Sequence, residues 1–261
     1  MSSILTLGDV SFPDYSSRPK PELSAPWIQL TPDGEINAYD FTGLQNASTL
    51  FLGTAFKELN LTFPDTTNAF GLCYQWTGRT AHLILPKCVS LYMLFQQTDY
   101  CNSINVEAAV ATDAPYFAYG TAAQSAELHA PNVTNLDHAF TNSKQLRTLL
   151  IEAPNAVAIT YMLSGCSFLE SIEFDFPNAV NGAQFASNCS NLNACTMTWP
   201  RISDLSGAFD GTGLESDALN SIFESLPSYE SGTHAIGIKG TPGAEACDVS
   251  IAEQKGWTVV K

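Results

Sequence analysis

Cysteine and histidine are the residues whose spacing says most about possible chemistry in this sequence. The seven cysteines are odd in number and contain no Cys-x-x-Cys pair, which disfavours a complete disulfide framework and a structural zinc site. A catalytic cysteine needs a positioned base, and the four histidines, His82, His129, His138 and His234, are scattered. No nucleotide-binding glycine loop, G-x-S-x-G elbow or H-E-x-x-H motif occurs. We therefore expect reduced, mostly buried thiols, no catalytic residue, no metal site and no cofactor.

The charge balance restricts the class of partner. Among the 261 residues, 26 are acidic and 11 are basic, giving a net charge of -15. A protein that binds nucleic acid through its phosphates, or an anionic membrane surface, carries the opposite sign. No stretch approaches the roughly 18 apolar residues that a membrane span needs. We expect no nucleic-acid partner and no membrane insertion, and the acidic surface favours cationic partners.

Prolines reveal a repeat that organises the chain. Pro131, Pro154, Pro177 and Pro200 follow one another at intervals of 23 residues. An alternating apolar pattern precedes each of them, which is typical of a β-strand with one buried face. A unit this short cannot bury its apolar face alone, so successive units must stack on a shared core. The sequence thus predicts a β-rich solenoid with a parallel sheet of about 7–8 rungs.

Outward-facing positions of the predicted strands carry a group of carboxylates with one histidine and no Lys or Arg. Its members are Glu107, Glu127, His129, Glu152, Glu173 and Asp175. Like charges opposite one another on adjacent strands are mildly destabilising. The group is either a solvated acidic surface or a binding surface for a basic partner or a divalent cation, and the sequence leaves both interpretations open.

The N-terminal segment, residues 1–35, does not repeat and is rich in proline. Such a segment is extended or polyproline-like. We predict an arm that either caps the solenoid or docks on a partner subunit, with Phe12, Tyr15, Trp27 and Ile28 as its docking residues. The solenoid itself is predicted to span residues 36–214, with a degraded first unit near Ile36.

The C-terminal segment, residues 215–261, also breaks the period. An amphipathic helix, with Ser216 or Asp217 as its cap, is followed by a strand, a short helix behind Asp248 and a last strand. We predict a small α/β module that covers the apolar end of the solenoid and blocks edge-to-edge association.

The repeat L-x-x-P-N, followed by F-x-x-C-x-x-L, resembles the short leucine-rich repeats of the BspA type, which occur in surface proteins of gut bacteria and in their bacteriophages. Residues 150–169 and 172–192 carry the pattern best, whereas residues 74–126 lack the Cys and the late Leu. The resemblance implies a leucine-rich-repeat-like sheet and a non-enzymatic role in adhesion or attachment.

The start of the sequence lacks the basic region and apolar core of a secretion signal. We therefore expect a bacteriophage virion protein, associated with a tail fibre or baseplate. Its arm would contact other protein subunits of the particle, and its solenoid a host surface receptor of protein or glycan. The alternative is a bacterial cell-surface or secreted adhesin whose signal was removed before the numbering begins. A homo-oligomer is also left open.

Overall fold

The computed structural model describes residues 4–7, 10–13 and 27–261. Thirteen strands and two α-helices occur there, together with one 3-10 turn at Pro242–Glu245. The strands are β1 (Ile4–Leu7), β2 (Val10–Pro13), β3 (Ile28–Leu30), β4 (Ile36–Tyr39), β5 (Glu58–Thr62), β6 (Thr80–Ile84), β7 (Ser103–Glu107), β8 (Ser125–His129), β9 (Thr148–Glu152), β10 (Ser171–Asp175), β11 (Ala194–Thr198), β12 (His234–Gly237) and β13 (Trp257–Val260). The helices are α1 (Ser216–Ser225) and α2 (Ser250–Glu253).

The repeating strands stack in parallel and in chain order. Strands β5 to β9 form one sheet, and β10 pairs with β11 in the same sense. The register advances by one repeat at each step, so Asn105 lies beside Glu127 and Glu127 lies beside Leu150. More buried and less buried residues alternate along these strands, most clearly in β10, where buried and exposed positions alternate strictly. The predicted parallel β-solenoid is confirmed.

A second ladder of single bridges lies in the segment that follows each strand. Asn46 is bridged to Asn68, Asn68 to Ser90, and the series continues at every repeat as far as Asp204. Several bridge residues also accept a hydrogen bond through the side-chain oxygen from the N–H two residues later, as Asn135 does from Asp137 at 2.8 Å. This Asx turn explains why short polar side chains recur at the position.

The asparagine that follows the repeat proline joins one rung to the next. Each amide nitrogen donates to a backbone carbonyl at the proline position of the preceding unit: Asn132 to Ala109 at 2.7 Å, Asn155 to Pro131 at 3.0 Å and Asn178 to Pro154 at 3.2 Å. These bonds hold the turns in register where proline cannot donate.

Aromatic rings fill the interior at one position of each repeat. Phe95, Phe117 and Phe140 are fully buried and meet edge to face, with centroids 5.9 and 5.6 Å apart. Phe185 and Phe209 continue the column at 6.4 Å. The rings thus form one core that no single unit could bury.

Each end of the solenoid departs from the repeat. Strand β4 pairs antiparallel with β3, and Phe41 beyond it stacks on Phe63 at 4.3 Å. The unit predicted near Ile36 therefore joins the core, although its strand turns back on β3. At the other end, α1 packs on β11, and β12 extends the bridge ladder from Leu205 to Ile236.

Neither C-terminal helix has the N-cap predicted from the sequence. The N-cap of α1 is Glu215, whose side chain makes no cap hydrogen bond, so the predicted capping by Ser216 or Asp217 is absent. The N-cap of α2 is Val249, one residue after the predicted Asp248. Asp248 Oδ1 still accepts hydrogen bonds from the Ser250 N–H at 3.0 Å and the Ser250 hydroxyl at 2.7 Å.

Between β5 and β11 the strand ladder is interrupted at one place, between β9 and β10, which we call the seam. Within the described chain no backbone hydrogen bond joins these two strands. The bridge ladder behind them stays closed, because Ala158 pairs with Asn181. On the inward side, the repeat position that holds the small Ala153 in one rung holds Phe176 in the next, and the ring of Phe176 stacks on that of Phe174. This increase in bulk is a physical reason for the strands to separate there.

Candidate functional site

The structure places the predicted outward-facing residues on one surface, which we call the acidic face. Its members are Glu107, Glu127, His129, Glu152, Glu173 and Asp175. Those of β7, β8 and β9 lie on adjacent, hydrogen-bonded strands. Glu173 and Asp175 lie on β10, across the seam.

The carboxylates of β7 to β9 alternate with other residue types instead of facing one another. His129 lies between Glu107 and Glu152 in the register, and Glu127 lies beside Asn105. The Asn105 amide donates to Glu127 Oε2 at 2.6 Å. His129 Nδ1 lies 2.8 Å from Glu152 Oε2. The repulsion expected from the sequence is therefore largely avoided on these three strands.

His129 is the electrostatic centre of this part of the face. Its hydrogen bond to Glu152 raises the pKa of the imidazole, partial burial opposes that effect, and the charges of Glu152 and Glu127 add to the rise. Its second nitrogen lies 3.8 Å from Glu127 Oε2. A protonated His129 thus links two carboxylates on neighbouring strands.

The seam is the one place where the repeat would set two carboxylates of the face directly opposite each other. Continued pairing would put Asp175 beside Glu152 and Glu173 beside Leu150, because the repeat there is 23 residues. Like charges directly opposite each other on adjacent strands are destabilising. Among the described residues no Lys or Arg forms an ion pair with these carboxylates. Leu150 itself is 47% exposed.

A shallow depression lies on the acidic face at its β7–β8 edge. Glu107, His129 and Pro131 line it, together with Ala108 and Ala109. Over residues 27–261 no three His, Cys, Asp or Glu side chains are grouped so that they could hold a metal ion.

The cysteines are packed as the sequence predicts. Six are buried, Cys195 is half-buried, and all seven are free. Cys166 and Cys189 occupy one repeat position and direct their thiols to the carbonyls of Phe140 and Leu163, at 3.2 and 3.1 Å. Burial raises the pKa of Cys101 to about 12. Thiols held in this protonated state are poor nucleophiles at neutral pH.

The structure places two of the four predicted arm residues on the first rung and does not describe the side chains of the other two. Ile28 lies in the core with 5% exposure, and Trp27 is half-buried against it, so both are anchored on the first rung. Phe12 belongs to β2, of which only the backbone is described. Tyr15 lies outside the described residues. Docking of the arm on a partner subunit thus remains a prediction.

An aromatic column is a feature that our sequence reasoning missed. Tyr116, His138 and Tyr161 occupy one repeat position and have left-handed backbone, with φ of 54°, 58° and 54°. The imidazole lies between the two phenol rings, at 4.8 and 4.7 Å, with the planes within 6° of parallel. Met93 and Gln184 have the same left-handed backbone at this position of their units, so the turn of the repeat imposes the conformation and the rings are not its cause.

The signal for this column was present in the sequence. An aromatic or imidazole ring stands seven residues after the proline position in three successive units. Burial lowers the pKa of His138, while the nearby charge of Asp137 opposes that shift. The column therefore holds a neutral imidazole between two phenols near neutral pH.

Comparisons of the chain with family models, curated proteins and solved structures found no match. In the described part of the chain, no helix has both the length and the apolar character of a membrane span. The acidic face, the seam and the aromatic column are the features from which a function can be argued.

Proposed function

We propose that this chain is a non-enzymatic binding module and that its acidic face binds a cationic segment of a partner. The observation that carries the proposal is the placement of the carboxylates. They project from parallel strands on one side of the solenoid, where histidine and asparagine lie between those of β7 to β9. A surface with this excess of carboxylates attracts cationic groups.

We further propose that the module belongs to a bacteriophage virion and resembles BspA-type leucine-rich-repeat proteins. The repeat pattern and the parallel solenoid support this assignment. The proline-rich arm would contact other subunits of the particle, and the acidic face would contact a protein or glycan receptor on the host. The surface adhesin described above is the alternative setting for the same binding role.

The binding role can be tested on whole cells. Fluorescently labelled chain is incubated with a panel of gut bacteria at low and high salt, and bound label is measured by flow cytometry. We expect binding that falls with salt, because the attraction is between exposed charges. We expect cells to bind at least about fivefold less of the double variant Glu152→Gln and Asp175→Asn than of the unmodified chain.

A matched control removes the same two charges from the C-terminal module. Glu230 and Glu253 are exposed and lie outside the acidic face, so their double Gln variant should bind like the unmodified chain. Equal binding by both double variants would contradict a role for the acidic face. For the virion setting, deletion of residues 1–26 should abolish co-purification with particles without lowering the melting temperature.

A further inference from the structure

The seam leaves a row of backbone groups on β9 without a partner strand. The Ala130 N–H donates to the Glu152 carbonyl at 3.1 Å, so the backbone N–H and C=O of Glu152 point towards β8. Both groups of one residue point to the same side of a strand, and this side alternates from residue to residue. The N–H and C=O groups of Leu149, Ile151 and Ala153 therefore point into the seam, and no hydrogen bond joins them to β10.

The same reasoning applies to β10. The Phe176 N–H donates to the Thr198 carbonyl at 2.8 Å, so the backbone N–H of Phe176 points towards β11. By alternation, the backbone N–H and C=O groups of Ser171, Glu173 and Asp175 point into the seam. Two parallel strand edges thus point towards each other, each with donors and acceptors that the fold does not use. Such edges recruit an extended segment through main-chain hydrogen bonds.

The side chains around the seam define which segment fits. Outward residues of an added strand would lie at two places. Between Glu152 and Asp175 a basic residue would separate two carboxylates, and between Leu150 and Glu173 it would lie beside one carboxylate and the stem could cover Leu150. Inward residues would meet the core beside Ile151, which is 9% exposed, and Phe174, which is 6% exposed. Small apolar residues suit those positions. The complementary sequence alternates basic and small apolar residues.

We propose that the seam is an acceptor site for one extended strand of a partner protein, with Lys or Arg at alternate positions. The inference rests on the proposed binding role of the acidic face and specifies its ligand. The chain's own basic pair, Arg18 and Lys20, is interleaved with Pro19 and Pro21. Proline has no N–H to donate to a ladder, so a partner segment suits the site better than the arm does.

A pair of identical substitutions tests the seam without any ligand. Glu173 and Glu127 occupy the same repeat position, and both face outward. The backbone N–H of Glu127 points towards β7, to which its strand is hydrogen-bonded, whereas the backbone N–H of Glu173 points into the seam. Glu127→Pro should therefore lower the melting temperature by roughly 6 °C or more, and Glu173→Pro by less than about 2 °C. Equal losses in the two variants would overturn the open seam.

A peptide probe tests the acceptor role. A labelled peptide in which lysine and valine alternate is titrated with the chain and followed by fluorescence anisotropy, beside a peptide in which glutamate and valine alternate. We expect saturable binding of the lysine peptide only. Glu173→Pro should weaken that binding by about tenfold, because one seam donor is lost. The double Gln variant of Glu230 and Glu253 should leave it unchanged.

The possible failures are distinguishable. Absence of peptide binding, or binding that Glu173→Pro leaves intact, overturns strand addition. If the double variant of Glu152 and Asp175 still loses cell binding in that case, the proposed function survives without this inference. A concentration-dependent dimer that Glu173→Pro dissociates would assign the seam to a second copy of the chain and would also overturn a foreign partner.

Discussion

Phe140→Ala is the substitution that tests most directly how the repeats depend on one another. Phe140 is fully buried, and its ring meets Phe117 edge to face at 5.6 Å. Truncation of a buried Phe costs about 3–5 kcal/mol, because apolar surface is lost and a cavity remains. This range already includes the lost ring contact. The assay is urea unfolding at 25 °C, followed by circular dichroism.

Phe168→Ala is the matched control, because it removes the same atoms from an exposed position. Phe168 is 38% exposed, and the Arg147 guanidinium lies 4.7 Å from its ring centroid. An exposed cation–π contact contributes about 0.5–1 kcal/mol. We expect Phe140→Ala to cost several times as much as Phe168→Ala. Similar losses in the two variants would refute the shared aromatic core.

Three further predictions concern individual residues. His129 should titrate above about 6.5 by NMR, and Glu152→Gln should lower its pKa. Its contribution to stability is then complete below about pH 6.5 and is lost as the pH rises through the folded pKa. Buried thiols such as Cys101 should react slowly with Ellman's reagent in the native chain, and all seven should react after unfolding. Gly237→Ala should cost more than about 2 kcal/mol in urea unfolding, because the new Cβ would lie 2.3 Å from the Gly207 backbone.

The periodic part of the fold was predictable because one physical requirement repeats. Proline cannot donate to a ladder, and each strand must bury alternate residues, so Pro154 and Pro177 mark strand ends even in a single sequence. The asparagine that follows the proline in three units was visible as a pattern. Its bond to the previous rung could not be predicted, because the bond depends on how the turns stack.

The seam could not be predicted, because it depends on whether the repulsion between two neighbouring rungs outweighs the hydrogen bonds that would join them. Sequence reasoning placed Glu152 and Asp175 on one face and expected a continuous ladder. It had no means to weigh carboxylate repulsion and the added bulk of Phe174 against the ladder hydrogen bonds. The aromatic column is harder to recognise for another reason: the apolar alternation identifies strand and core positions, whereas Tyr161 and its neighbours lie in left-handed turns.

Amide hydrogen exchange on the free chain tests the central structural claim, which is a solenoid closed along its bridge ladder and open at the seam. The N–H groups of Ile151 and Glu173 should exchange at least about a hundredfold faster than that of Glu127, which pairs within the sheet. Behind the seam, the N–H of Ile159, bonded to the Asn181 carbonyl at 3.0 Å, should stay protected. Equal protection of Ile151, Glu173 and Glu127 would show a closed ladder and contradict the account.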